Sequence, residues 1–343
     1  MRIGTAIIDS IVTALSRDRN YHRPFCEIET TCSLVDPLID TSMDSLPRIT
    51  VVTPSYNQGS YLEKTILSVL EQEFPNIEYI VIDGGSTDNS LDTIKKYEKH
   101  LKYWVSEPDR GQSNAINKGF SHATGDLLTW LSSDDYYMPG ALWTFATMAM
   151  AHPETSAFVG AGRIIDETGN IIYYKEPPQH ITIETLYRWL NGGDFMQPSS
   201  IFRRTAWERV GPLDETVHIA LDVDLWLRMA KAGCRFVSSD SLLSTALSHK
   251  NAKTTAFKYL SVIDCAIVVM RHGGEKAARS YLEDVAARLT YSEQNLNKIL
   301  NNPVIRLVRP AIKLFVKPAL RWREVTPPWS NQNKTEQTSE DPQ

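Results

Sequence analysis

The sequence is short of cysteine, of basic charge and of long apolar runs. Its four cysteines, Cys26, Cys32, Cys234 and Cys265, lack the paired short spacing of a zinc site and are too few in 343 residues to form a disulfide framework. Buried free thiols in a reducing compartment are the expectation. A net charge of -5 supplies no overall field to hold nucleic acid, so no nucleic-acid partner is expected. No run approaches the ~20 apolar residues needed to cross a bilayer. The opening MRIGTAIIDSIVTALSRDRN is interrupted by Asp9 and followed by no small-residue cleavage site, which argues against a secretory signal and for a cytoplasmic location. The G-x-G-x-x-G phosphate cradle is also missing, since the first strand turn reads TPSYNQGS, and a nucleotide-dependent oxidoreductase is a poor fit.

What the chain does contain is a series of apolar runs that end in polar residues: ITVVTPSY at 49–56, EYIVIDGGSTD at 78–88, YWVSEPDRG at 103–111 and DLLTWLSSDD at 126–135. Helical patterns separate them, over about 60–73, 88–99 and 111–122. Strands alternating with helices through short connections imply parallel pairing with right-handed crossovers. Such a sheet carries Tyr56, Asp83, Asp109, Asp134 and Asp135 along one edge, where open α/β sheets bind ligands. Further on, strands are expected at 157–162, around a turn at Gly169 and at 199–203. Helices are expected at 182–190, 205–210, 222–232, 257–271 and 274–300. The domain reading is an N-terminal extension at 1–46 with a helix over 5–17, an α/β domain at 47–255, a helical region at 256–324 and a disordered tail at 325–343.

Each candidate residue has an ordinary role and a chemical one. The adjacent carboxylates of Asp134 and Asp135 repel, and hard oxygen ligands suit Mg²⁺ or Mn²⁺, but an acidic turn capping the next helix is the alternative. Asp83 runs into Gly84 and Gly85 and can accept from a uracil N–H or ribose hydroxyls; as a helix cap it is less well placed than Ser86 or Asp88. Tyr56 taken alone reads as a packing residue. In EPDRGQSNAINKG, Arg110 or Lys118 could offset diphosphate charge. Asp222 is placed for an N-cap, and Asp224 with Arg228 for a helix-surface ion pair. His249 is a lone loop histidine.

The strings VVTPSYNQGSYLEKTILSVLEQ, VIDGGSTDNS, EPDRGQSNAINKGFSHATGD, WLSSDDYYMPGAL, QPSSIFRR and LDVDLWLRMAKAG, in that order, resemble the family 2 glycosyltransferases. The resemblance implies a GT-A fold, a Rossmann-like central mixed sheet flanked by helices, here with a C-terminal helical extension. It implies a nucleotide diphosphate sugar, a UDP-sugar first, as donor, with Mg²⁺ or Mn²⁺ on Asp135 and His249. Asp134 then contacts the ribose or the metal shell, and Asp83, Tyr56 and the backbone at Thr53 and Pro54 surround the base. Asp109 and Gln112 line the same site, Asp222 is the catalytic base of an inverting transfer, and Gln197 and Arg203 shape the acceptor side. The chain departs from the family at Ser132 and Leu221, where relatives often carry acids. Those departures keep open a catalytically silent nucleotide-sugar binder. The implied acceptor is a glycan or lipid-linked glycan of a bacterial surface polysaccharide. The basic and apolar 303–323 segment reads either as a contact with the inner membrane face or as a helix packed on the protein.

Overall fold

A computed structural model describes residues 46–301. The expectations for the N-terminal extension, including its helix over 5–17, for Cys26 and Cys32, and for the 303–323 segment and the tail fall outside those residues. The strands are β1 (Ile49–Ser55), β2 (Ile77–Asp83), β3 (Tyr103–Ser106), β4 (Leu127–Trp130), β5 (Tyr136–Tyr137), β6 (Ala157–Ile165), β7 (Ile171–Lys175), β8 (Ser200–Arg203) and β9 (Phe236–Leu247). The helices are α1 (Gly59–Leu70), α2 (Ser90–Tyr97), α3 (Gln112–Ser121), α4 (Ala141–Ala151), α5 (Ile183–Tyr187), α6 (Arg204–Val210), α7 (Leu221–Lys231), α8 (Lys253–Ala256), α9 (Lys258–Arg271) and α10 (Glu275–Asn301).

The sheet runs β3-β2-β1-β4-β8-β6-β9-β5, with β7 paired to β6. Its first four strands are parallel, β8 is antiparallel to both β4 and β6, and β6 and β9 are parallel. This is the expected mixed sheet. Strands β1, β2 and β4 are largely apolar because both of their faces are covered. Val52, Ile80, Ile82, Leu128 and Trp130 pack on one face with Ile116, Phe120 and Trp226. Val51, Tyr79, Val81, Leu127 and Leu131 pack on the other with Leu62, Ile66, Val69 and Phe145. Gly119 permits the close seat of α3, since a Cβ there would lie 2.4 Å from Val52 Cγ1.

Pro54 stands in a central strand, where a missing N–H usually breaks a ladder. The β1–β4 pairing ends at Val52 and Trp130, with Leu131 donating to the Val52 carbonyl. Two residues further, Pro54 points to the side that β4 has already left, so no bond is lost. The same divergence opens the carboxyl edge of the sheet between β1 and β4. At the opposite edge, Glu78 accepts from Thr50 and from the Thr124 amide and hydroxyl, tying β2, β1 and the entry to β4 together.

The β6–β7 hairpin turns through Gly169 as expected, and Cys234 and Cys265 are buried free thiols. Two elements differ from the sequence reading. The long β9 was not expected as a strand. The division at 255 is no break in packing either, because Cys265, Ala266, Val268 and Val269 of α9 and Ala278 and Tyr281 of α10 belong to the core cluster around Trp226. Among the described residues, no helix is long and apolar enough to cross a membrane.

Candidate active site

The carboxyl ends of β1, β2, β3 and β4 deliver Ser55, Asp83, Ser106 and the Leu131–Asp135 turn to one edge, as parallel register requires. Because β6 and β9 run the same way, the β6–β7 turn and the segment after β9 arrive at that edge too. His249 Nε2 lies 2.9 Å from Asp134 Oδ2, its ring is buried, and it packs on Tyr61 with centroids 4.5 Å apart. Tyr61 in turn donates to Glu167 of the β6–β7 turn at 3.2 Å.

Asp135 is held by its backbone, whose carbonyl accepts from Thr65 at 2.7 Å. Burial, then the neighbouring Asp134 charge, pushes its carboxyl well above the usual range, against the pull of the Leu247 amide. Among the described residues, buried His249 Nδ1 has no hydrogen-bond partner. Two crowded carboxylates and an imidazole with an unmet nitrogen form a donor set that fits a divalent cation. Among the described residues no group of three or more His, Cys, Asp or Glu is gathered to hold an ion unaided, so oxygens of a bound ligand would have to complete the shell.

On the other side of the edge, Asp83 is fully buried and committed to its own loop. Oδ2 accepts from the Gly85 and Ser86 amides at 3.2 and 2.9 Å and from Ser106 Oγ at 2.7 Å, while Oδ1 accepts from Ser86 Oγ at 2.5 Å. Gly84 leaves room for the Asp109 carboxylate, whose Oδ2 lies 2.7 Å from where a Cβ would stand. Burial raises the Asp109 carboxyl, with Asp83 adding to the rise and Gly111, Lys118 and Lys253 opposing it. The expected cap at Asp88 is double: it accepts from Ser90 in α2 and from the Gly59 amide opening α1. Tyr56 is 59% exposed, and no core contact accounts for it. Thr53 turns its hydroxyl inward to Tyr79 at 3.0 Å, leaving only its backbone for a ligand.

The cations Arg110, in the β3–α3 loop, and Lys118, in α3, are occupied. Arg110 pairs with Glu215 at 2.6 Å and Lys118 with Glu107 at 2.8 Å. Lys253, which the sequence reading did not single out, takes the central position instead. Its Nζ donates to Gln112 Oε1 at 2.9 Å and to the His218 carbonyl at 3.4 Å, and Gln112 Nε2 reaches Ser132 Oγ at 3.2 Å. Burial pulls the Lys253 amine down to about 8, against the opposing charges of Asp109, Asp134 and Asp264. A lysine in HKNAKTT carries no signal of this by itself, because the acids around it come from three other segments.

Asp222 lies in the first turn of α7 with part of its surface open. Its Oδ1 accepts from the Val223 amide at 2.9 Å, and burial, with Asp264 adding, raises its carboxyl to about 6. Asp224 is no surface pair: it is buried, with Arg228 Nε at 2.7 Å and His272 Nε2 at 2.8 Å, and it locks α7 to the end of α9. Gln197 donates to the Trp130 carbonyl at 2.9 Å, at the end of β4. Arg203 does not reach the acceptor side. Its guanidinium binds the Ala149, His152 and Thr155 carbonyls at the end of α4, by the opposite edge of the sheet. Direct contacts and mutual charge effects thus run from Asp83 through Asp109, Lys253 and Asp134 to Asp135 and His249, and from Lys253 through Asp264 to Asp222.

Comparison with known proteins gives the family and the fold. The family model described as Glycosyl transferase family 2 matches residues 50–211. An uncharacterized glycosyltransferase of Rickettsia typhi is 25% identical over 223 residues, 62% of this chain and 68% of its own length. One of Mycobacterium tuberculosis is 44% identical over 96 residues, 28% of this chain and 37% of its own. Of solved structures, S. aureus TarS 1-349 in complex with UDP-GlcNAc superposes with a TM-score of 0.50 at 18% identity, covering 68% of this chain and 71% of that fragment. The mannosyltransferase PcManGT from Pyrobaculum calidifontis, in complex with GDP-Man and Mn²⁺, gives 0.53 at 19% identity, covering 80% of this chain and 82% of its own. At these identities the structural likeness establishes the fold.

Proposed function

This chain is a family 2 glycosyltransferase of GT-A fold, and from that premise we propose that it moves a sugar, with inversion, from a nucleotide diphosphate donor to a hydroxyl of a glycan or lipid-linked acceptor. The observation that carries the reading is the joining of Asp134, His249, Gln112 and Lys253 at the carboxyl edge, with Asp222 reached through Asp264. Asp222 takes the proton of the acceptor hydroxyl as that oxygen attacks the anomeric carbon from the face opposite the diphosphate. The bond from that carbon to the diphosphate breaks, and its electron pair leaves with the nucleotide. A carboxyl with a pKa near 6 is ionised at neutral pH and basic enough to receive the proton. Lys253 stands where charge grows on the leaving diphosphate. Asp135, with Asp134 and His249, would hold Mg²⁺ or Mn²⁺, which supplies further neutralisation of that charge.

The base-binding wall is read as Tyr56 with the Thr53 and Pro54 backbone, beside Asp83 and Asp109. A uracil donor is the first choice, and cell-surface polysaccharide synthesis the setting; both come from the sequence resemblance. The test is a panel of UDP-, GDP- and dTDP-sugars, with and without Mn²⁺, followed by thermal shift and by release of the free nucleotide. A UDP-sugar is expected to raise the melting temperature most and to release UDP. The reading is lost if no donor stabilises the full chain under any metal condition.

A further inference from the structure

Asp264 sits in α9, outside the residues matched by the family model, yet it faces the entrance of α7. Its Oδ2 accepts from the Ile219 amide and from the Ala220 amide, both at 2.9 Å. Those are the two residues that lead into the helix, and the Ala220 carbonyl receives the first helical bond, from the Asp224 amide. The entry to α7 is therefore fixed from a neighbouring helix. An N-terminal carboxylate would ordinarily be drawn into that task, but Asp222 accepts only from Val223 and its own amide among the described residues.

We infer that Asp264 is a positioning residue for Asp222: it anchors the turn that aims the base, leaves the Asp222 carboxylate free for an acceptor proton, and keeps a second negative charge beside it. The inference rests on the proposed role of Asp222. Other groups facing this space are the buried Cys265 thiol, which burial and the charges of Asp222, Asp264 and Asp194 keep protonated, and Asp194, paired with Lys175 at 2.6 Å. Lys253 and His218 are also within reach of the Asp264 charge. Among these, Asp264 is the group whose charge adds to the burial of Asp222 in raising its carboxyl. Removing that charge with the anchor's shape retained should make Asp222 a stronger acid and a weaker base.

The experiment is the pH profile of kcat/KM for UDP-sugar hydrolysis or transfer by the full chain and by its Asp264→Asn, Asp264→Glu and Asp222→Asn variants, with UDP Kd measured in parallel. Asp264→Asn keeps an acceptor oxygen and loses the charge. Its acid limb is expected to move down by about half a pH unit, the direction set by losing a like charge, while UDP Kd holds within about twofold, because Asp264 bonds protein amides rather than the donor. Asp264→Glu is expected to restore the limb. An unmoved limb in Asp264→Asn, with Asp222→Asn inactive, overturns this inference alone. Near wild-type turnover by Asp222→Asn overturns the base assignment, and this inference with it. A UDP Kd that weakens with Asp264→Asn as strongly as turnover falls also overturns it, by making Asp264 a donor contact.

Discussion

Two carboxylates near the ends of this site, Asp83 and Asp222, are surrounded by protein but are treated in opposite ways. Asp83, at the end of β2, receives two amides and two hydroxyls, and its oxygens are used up in shaping the loop that follows. Asp222, opening α7, receives one neighbouring amide and its own, and burial lifts its carboxyl to about 6. The difference teaches where this fold keeps scaffold and where it keeps reactivity. At the end of β2 the carboxylate is satisfied by its own loop, although Ser55 Oγ at the end of β1 is buried without a hydrogen-bond partner among the described residues. On the other side of the edge, His249 Nδ1, in the segment before α8, is buried with no hydrogen-bond partner among the described residues, and the half-buried Asp222 carboxylate accepts only from backbone amides; polar groups with capacity left over are ones that a substrate or ion can complete.

The sharpest way to break that contrast is Asp222→Asn. Turnover should fall ~10²–10⁴-fold, the usual worth of a general base, with donor affinity kept. Stability should move the other way. The folded value near 6 lies above the 3.8 of an ordinary aspartate, so the folded state holds the proton more tightly. Its stabilising contribution is complete below the unfolded pKa and is lost as pH rises through about 6. The cost of ionised Asp222 at pH 8 is therefore at most about 3 kcal/mol. Denaturant unfolding of variant and parent should show the variant gaining relative stability from pH 4 to pH 8. A gain that does not grow with pH would mean that the surroundings of Asp222 do not raise its carboxyl.

Asp83→Ala is the counterpart and should behave as a scaffold lesion. The Ser86 and Ser106 hydroxyls and the Gly85 and Ser86 amides lose their acceptor, a loss of about 2–4 kcal/mol by the cost of unsatisfied buried groups. Unfolding in urea measures it at any pH above the carboxylate range. Should the variant instead lose donor affinity with stability intact, Asp83 would be a ligand group whose serine bonds are exchanged on binding.

This contrast also marks what could be read without coordinates. The apolar runs of β1, β2 and β4 are legible because both sheet faces are covered, and their polar ends name the site edge. Strand β9 is not legible, since Ser238, Ser239, Asp240 and Ser241 break any apolar rhythm; its place comes from the ladder with β6. The buried state of Asp224 was hidden because i,i+4 spacing with Arg228 is equally that of a surface pair, and only His272, 48 residues on, distinguishes them. Arg203 was misplaced because proximity in sequence to QPSS suggested the acceptor side, whereas β8 carries it down the sheet to the opposite edge. Lys253 and Asp264 act through partners that no local pattern brings together.

A smaller effect is expected at Lys253. Lys253→Met keeps the stem and removes the cation from among Asp109, Asp134 and Asp264. If the diphosphate is held there, donor Kd should weaken about 10–100-fold, the scale of one charge-assisted hydrogen bond. Isothermal titration with the nucleotide diphosphate reads this directly. Unchanged affinity with lower stability would return Lys253 to the scaffold.

The smallest effect belongs to Arg110, which sequence alone makes as good a diphosphate partner as any. Its side chain is 73% exposed, and its bonds to Glu215, at 2.9 and 2.6 Å, join the β3–α3 loop to the segment before α7. Glu215 does not depend on it, since Asn114 and Asn117 also donate to that carboxylate. An exposed pair backed by neutral donors is worth at most about 1 kcal/mol and fades with salt. Arg110→Ala should accordingly shift stability by less than that in low salt, by nothing measurable in high salt, and leave donor Kd unchanged. A marked loss of donor affinity would transfer the diphosphate from the buried Lys253 to the solvent-facing loop.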